Sequence, residues 1–313
     1  MKKQSMNRGG FQKLIQNRKF RDNLSGYLFI LPVFIFFMIF CGIPILTTVF
    51  KYSYAQFNIL GDFKWVGLDN FKELVSDPMT KTIAWNGVKF LLILAPAQVI
   101  FGLLFALGVH KTRNGVWKGV LKTAIYFPSV VTTSAVAIAW GYMFNKDFGV
   151  INWGLRQLGI IDEGIPWLVS SKYAFAAILI FSIWKFTGTA FLYFIVGLGN
   201  VPESYYEAAR IDGANERQVF FKITLPLITP SLFYVSLITI IWVAQCFDEP
   251  YFLTNGGPGD STRTIAIYIY QKAFYSYNMG YASAIATVLF VVVFTLTIIQ
   301  FVVQKKWVNY DYE

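Results

Sequence analysis

The chain is poor in the residues that do chemistry. It holds one histidine and two cysteines, and its charged residues make up 14% of the whole. A lone histidine, His110, has no partners with which to build a metal site or a Ser/His/Asp set. Followed by Lys111 and Arg113, it reads as an interfacial residue. Cys41 and Cys246 lie in or beside apolar segments, where small packing residues are ordinary. They offer neither a disulfide framework nor a zinc spacing. No Gly-x-x-x-x-Gly-Lys-Ser/Thr occurs, so this chain lacks the phosphate-cradling loop of that type. The glycine-rich run Gly256-Gly257-Pro258-Gly259 contains proline, has no following Lys-Ser/Thr, and reads as a turn. The expectation is a chain with no catalytic residues, no metal and no bound cofactor.

What remains is apolar. Hydrophobic residues make up 56% and aromatics 19% of the 313 residues, and the mean hydropathy is +0.51. Soluble domains of this length rarely carry so little charge. Six runs approach the ~20 residues that a helix needs to cross a hydrocarbon core. They are residues 27–50, 85–109, 120–144, 173–199, 231–247 and 281–304. The first is too long for a signal-peptide core, and no small-x-small cleavage site follows it. Pro32 and Pro44 are expected to kink it or end turns within it. The fold class is therefore all-α: a polytopic membrane protein with six transmembrane helices.

The net charge of +10 would raise nucleic acid as a partner in a soluble protein. Here the bases flank apolar runs, which points to topology and lipid headgroups instead. The tail 1–26 is basic, the loop 110–119 holds Lys111, Arg113 and Lys118 without an acid, and the tail 305–313 begins Lys305-Lys306. The alternate loops, 51–84, 145–172 and 248–280, balance bases with acids. Both termini are expected on the cytoplasmic side, with 27–304 as the membrane domain.

One cytoplasmic loop, 200–229, does not fit that bookkeeping, because it carries Glu203, Glu207, Asp212 and Glu216. Within it runs EAARIDGANERQVFFKITLPLITP. Pro202 suits a first helical turn and Glu203 its positive end. Glu207 is placed to pair with Arg210 three residues on. Gly213 permits a reversal. Asn215 can cap a second short helix through Thr224, which Leu225-Pro226 then stops. The expected product is a helix–turn–helix on the membrane surface that exposes Ala208 and Ala209. An ordinary amphipathic surface loop and a docking surface both fit that description.

Polar residues within spans are costly and often line a path. Three patches qualify. The fourth span holds Ser182, Trp184, Lys185, Phe186 and Thr189. The fifth brings Trp242, Gln245, Cys246 and Asp248 close at three- and four-residue steps. The third carries Thr132, Thr133 and Ser134 after Pro128. Aromatic faces beside hydrogen-bonding groups suit sugars, whose C–H faces are apolar and whose rims are polar. The competing roles are helix packing for the tryptophans, back-bonding for the hydroxyls, and snorkelling or an ion pair with Asp248 for Lys185.

Glu207-Ala208-Ala209, then Gly213, then Ile223-x-Leu225-Pro226 resembles the EAA signature of permease subunits in bacterial binding-protein-dependent ABC importers. The likeness extends along the chain. Trp65-Val66-Gly67-Leu68-Asp69-Asn70-Phe71, Phe247-Asp248 with Leu253-Thr254-Asn255-Gly256-Gly257-Pro258-Gly259, and Tyr281-Ala282-Ser283-Ala284-Ile285-Ala286 are similar to segments of the first subunit in sugar permeases of the maltose-permease type. The chain differs from the enteric maltose permease in having six spans and no large periplasmic insertion.

The resemblance implies a type I importer fold in the bacterial cytoplasmic membrane. It implies a coupling helix that docks in a cleft of a separate ATPase, with Glu207, Ala208, Ala209 and Gly213 at its core and Arg210 and Asp212 beside them. By position it places sugar contacts at Ser182, Lys185, Phe186 and Thr189, and near Trp242, Val243 and Cys246. The implied partners are a second homologous permease, two ATP-binding subunits that hold ATP and Mg, an extracytoplasmic solute-binding protein and a carbohydrate. An ion-driven secondary transporter would need an internal repeat or mid-membrane acids, and neither is evident. A membrane enzyme would need a catalytic cluster. The same machine carrying a polyol, glycerol phosphate or another solute is the milder alternative.

Overall fold

Residues 18–57, 61, 63–112 and 114–310 are described by the computed structural model. Most of the basic tail 1–26, and residues 311–313 of the other tail, lie outside them. The first span starts as α1 (Arg18–Phe37), passes through a π turn (Met38–Gly42) and continues as α2 (Ile43–Phe50). Pro32 lies inside α1 and does not end it. The Ile43 N–H reaches back to Met38 O rather than to the residue four back. That wider turn precedes Pro44, whose ring would otherwise meet the carbonyl one α-turn back.

A short hairpin follows, β1 (Ala55–Phe57) against β2 (Phe63–Trp65), antiparallel with Gln56 opposite Lys64. The all-α expectation did not include it. Asn70, in α3 (Asp69–Ser76), is buried and donates to Ser53 O and Ala55 O at 3.0 Å, tying the hairpin down.

The second span, α4 (Pro78–Lys111), is longer than its apolar core. Asp77 caps its first turn by accepting from Met79 N, Pro78 opens it, and His110 and Lys111 close it, as the helix dipole favours. The fourth span, α8 (Ser171–Gly199), packs along α4. Contact is close at Gly102, where a Cβ would stand 2.6 Å from that of Ala190. Small residues let backbones approach in this way inside membranes. The sixth span is α15 (Met279–Gln304), capped by Asn278.

The third and fifth expected spans are not straight. Residues 120–144 form α5 (Gly115–Val130) and α6 (Thr133–Met143), bent by 99° at Val131-Thr132. Pro128 starts the break, and both Val131 and Thr132 have extended ψ values, 144° and 133°. The fifth span, α12 (Thr229–Ala244), stops short of the expected Phe247, because Gln245 and Phe247 leave helical geometry. It meets the preceding segment 216–227 at 65°. Among the described residues, four helices are long and apolar enough to cross a membrane, or six if each bent pair is one span.

Outside the spans lie α7 (Val150–Gln157), α13 (Asp248–Thr254) and α14 (Ile265–Tyr270). The segment around the Gly256–Gly259 turn is tied in. Asn86 of α4 donates to Asp260 O at 2.8 Å and Arg263 O at 3.0 Å. Thr254 and Thr262 bond at 2.7 Å. The buried core runs along α4 and α8, with Phe90, Leu94, Ile178 and Phe181 in one cluster and Ala106, Phe191, Phe194 and Leu198 in another.

Candidate functional site

The helix break and Lys185 belong together. A helix that stops inside apolar surroundings leaves carbonyls without donors. The ammonium of Lys185, 1% exposed, donates to Pro128 O at 2.9 Å and to Val131 O at 2.5 Å. Ser129 Oγ returns a bond to Lys185 O at 2.7 Å. Gly188 lies one turn on, where a Cβ would come 2.5 Å from Ile125 O. The lysine makes no ion pair with Asp248 among the described residues. The same ammonium also lies over the Phe186 ring, 5.1 Å from its centroid.

Beside this junction is a cavity of about 380 Å³. Gln98 of α4, Ser129 of α5, Phe186, Thr189 and Ala190 of α8, and Thr239, Trp242 and Gln245 of α12 and its end are among its walls. Phe186 and Trp242 meet edge to face with centroids 3.8 Å apart. The structure thus gathers Phe186, Thr189, Trp242 and Gln245 from two sequence patches.

The other expected pathway residues lie elsewhere. Ser182 and Lys185 are buried and do not line the cavity. Trp184 packs on Trp140 at 5.1 Å. Val243 is buried in the α4–α8 core. Cys246 is buried, and its thiol donates to Glu249 at 3.1 Å. Asp248 is exposed at the start of α13, and Thr133 is half-buried at the start of α6.

Sequence reasoning passed over Gln98 and Thr239 as pathway residues and did not name Ser129. Gln98 had a signal, since an amide in the middle of an apolar run is expensive. It is 3% exposed, and its Nε2 has no hydrogen-bond partner among the described residues.

The loop 200–229 forms the expected two-helix unit, with changes. α9 (Glu203–Ile211) is followed by Gly213 at φ +73°, a left-handed turn that glycine adopts without strain. Ala214 N closes onto Ala209 O at 2.9 Å. Asn215 caps α10 (Glu216–Val219) in a full capping box with Gln218. Pro226 does not stop the segment. A π turn (Phe220–Thr224) sends Leu225 N back to Phe220 O, and α11 (Leu225–Leu227) follows.

Arg210 pairs with Glu203 at 3.3 Å rather than with Glu207. Two turns separate that pair, and it joins an acid in the first turn to a base in the last. Ala208 is exposed but Ala209 is 5% exposed, so only one alanine offers its face. Glu207 and Asp212 are exposed and form no ion pair among the described residues. Lys111, at the end of α4, reaches Glu216 at 2.7 Å. That hydrogen bond, with the lysine's charge behind it, holds the Glu216 carboxyl below its ordinary range. Unlike the cavity, then, this loop leaves a charged, small-residue face uncovered.

The chain matches the family described as binding-protein-dependent transport system inner membrane component over residues 98–309. It is 38% identical to the probable ABC transporter permease protein YesP of Bacillus subtilis, across 98% of this chain and 99% of that protein. It is 34% identical to the trehalose/maltose transport system permease protein MalF of Thermococcus litoralis, across 91% of this chain and 95% of that one. Its fold is similar to a chain of a bacterial ABC transporter that imports the acidic polysaccharide alginate. There the TM-score is 0.80 at 20% identity, across 93% of this chain and 98% of that chain. With the bent spans, the exposed two-helix loop and the cavity in place, this chain is a member of the binding-protein-dependent transport system inner membrane components, the permease subunits of ABC importers.

Proposed function

We propose that this permease carries an uncharged oligosaccharide across the bacterial cytoplasmic membrane. The observation that carries the reading is the cavity between α4, α5, α8 and α12. An aromatic corner, Phe186 and Trp242, faces uncharged polar groups: Gln98, Ser129, Thr189, Thr239 and Gln245. Apolar C–H faces stack on rings while hydroxyl rims find hydrogen bonds. Gln98 Nε2 is a buried donor in want of an acceptor, which a sugar hydroxyl supplies. No lining residue is charged. Nearby Lys185 is held by backbone carbonyls and lies over the Phe186 ring rather than lining the cavity. Lys185 is therefore a positioning residue on this reading, and it fixes the wall that Ser129 belongs to. The relatives that transport trehalose and maltose, lactose and arabinooligosaccharides support a carbohydrate substrate.

The termini lie in the cytoplasm, and the loop 200–229 docks there on a separate ATP-hydrolysing subunit. Exposed Glu207 offers a charge to a basic partner, Ala208 allows close approach, and Gly213 sets the turn. Arg210 and Asp212 frame that face. The partner ATPase supplies the ATP and Mg that this chain has no loop to hold. A solute-binding protein delivers sugar from outside. A second permease completes the pathway and covers α1–α2, whose apolar surface is exposed. ATP-driven closure of the motor moves the loop, the loop tilts the spans, and the cavity changes sides by alternating access.

Reconstituted vesicles loaded with ATP test the substrate. Neutral oligosaccharides should be taken up in competition with one another, and amino acids should not compete. Uptake of amino acids in place of sugars would contradict the carbohydrate reading.

A further inference from the structure

The C-terminal segment touches the hinge of the coupling loop at one atom. Pro230 has no N–H, so Pro226 O, four residues earlier, loses its helical donor. The hydroxyl of Thr229 replaces it, donating to Pro226 O at 2.7 Å. The same oxygen accepts the backbone N–H of Asn309 at 2.9 Å. Thr229 is 7% exposed, so the shared oxygen is largely covered, while Asn309 itself is exposed. This is the point where segment 216–227 meets α12 at 65°.

The rest of the tail is built to reach that point. After α15 the chain turns, with Trp307 N and Val308 N both bonding Gln304 O at 3.0 and 2.9 Å. Trp307 packs edge to face on Phe233 of α12 at 6.3 Å, and Phe301 packs on the same ring at 5.5 Å. The last span, its tail and the root of the coupling loop are thus joined through Thr229 Oγ1 and Phe233.

We propose that residues 307–309 form a strap on the coupling hinge, with Thr229 as its positioning residue. Loop tilt reaches α12 through Ile228-Thr229. A hinge with a satisfied Pro226 carbonyl and a tethered hydroxyl transmits tilt as rotation of the span. A hinge without them bends and dissipates it. The strap thereby sets how much sugar moves per ATP hydrolysed. This inference rests on the importer reading above, since it needs a motor that pushes the loop.

The test uses the full transporter, reconstituted with its ATPase and binding protein. Asn309→Pro removes the backbone donor at an exposed position and touches neither the cavity nor the ATPase face. Thr229→Val removes the shared hydroxyl, and Thr229→Ser restores it. We expect Asn309→Pro and Thr229→Val each to lower sugar imported per ATP at least threefold. The double variant should be no worse than Thr229→Val alone, and Thr229→Ser should be near normal. In the purified chain, Asn309→Pro should speed amide exchange across 220–228. An unchanged sugar-to-ATP ratio, additive effects, or unchanged exchange would each overturn the strap. If the unaltered protein hydrolyses no ATP during uptake, the importer reading fails, and the strap's coupling role fails with it. If the unaltered transporter couples uptake to hydrolysis and the variants match it, the importer reading stands without the strap.

Discussion

The ammonium of Lys185 sits 2.9 Å from the carbonyl oxygen of Pro128, at the end of a helix that stops inside the apolar part of the molecule. A charged side chain on one span has become the cap of another. The bend it stabilises, 99° between α5 and α6, shapes the wall beside the cavity. Lys185→Met keeps the stem and removes the donors, leaving Pro128 O and Val131 O bare. Each buried orphan costs about 1–3 kcal/mol. The expected result is a lower unfolding temperature in detergent and a fall in transport rate. The order of preference among sugars should stay the same, because the lysine does not line the cavity. Competition assays with a sugar panel measure that order.

The cavity makes an opposite prediction. Trp242→Ala opens the aromatic corner and should raise the apparent KM for the transported sugar about tenfold, the equivalent of ~1.4 kcal/mol. Gln98→Leu keeps the volume and removes the unpartnered amide. It should weaken uptake affinity by roughly fivefold, the worth of one neutral hydrogen bond. Neither variant should change thermal stability as much as Lys185→Met does.

At the end of α4 away from loop 200–229, Asp77 ties three elements together. Its carboxylate caps α4, accepts from Tyr281 at 2.9 Å and accepts from Tyr268, while Lys272 lies over both tyrosine rings. Burial pushes the carboxyl up, but the bonds from Tyr268, Met79 N and Tyr281, with the charge of Lys272, outweigh it and hold the carboxyl below its ordinary value. A depressed carboxyl contributes stability that is present above its unfolded value and lost as pH falls through the folded one. Unfolding temperature should therefore drop below about pH 4 in the unaltered protein. That acid-dependent part of the drop should shrink in Asp77→Asn.

Gly213 is held at φ +73°. Gly213→Ala forces a Cβ into the left-handed region at a cost of about 1–2 kcal/mol. A Cβ there meets no atom of this chain within 4 Å. The substitution should leave the spans inserted and folded, and should lower ATP-coupled uptake by tilting α9 relative to α10. Circular dichroism of the purified variant beside its uptake rate separates the two effects.

Composition and hydropathy carry most of this architecture, because apolar length is a local property. The fourth and sixth spans fall within two residues of their expected starts, at Ser171 and Met279. The bend in the third span was not legible. Pro128 marked a weak point, but only a donor from another helix makes a break there tolerable, and Lys185 is 57 residues away. The pairing of Arg210 failed for a related reason. Spacing rules favour partners three or four apart, yet an exposed arginine on a short helix reaches the first-turn acid Glu203. The cavity was half legible. Trp242 and Phe186 stand out as aromatics next to polar residues, whereas Gln98 joins them only because α4 packs against α8. The strap left no trace in the sequence, since its donor is a backbone N–H.

On the proposed function, the face carrying Glu207 and Ala208 docks on a separate ATPase. The direct measurement is affinity purification of this chain from its native membrane in mild detergent, unaltered beside Glu207→Lys, with mass spectrometry of the proteins that travel with it. A second permease and a P-loop ATPase should travel with the unaltered chain, and the ATPase alone should be lost from the variant. A chain that purifies without any ATPase, or a variant that retains the ATPase in full, would overturn the docking assignment.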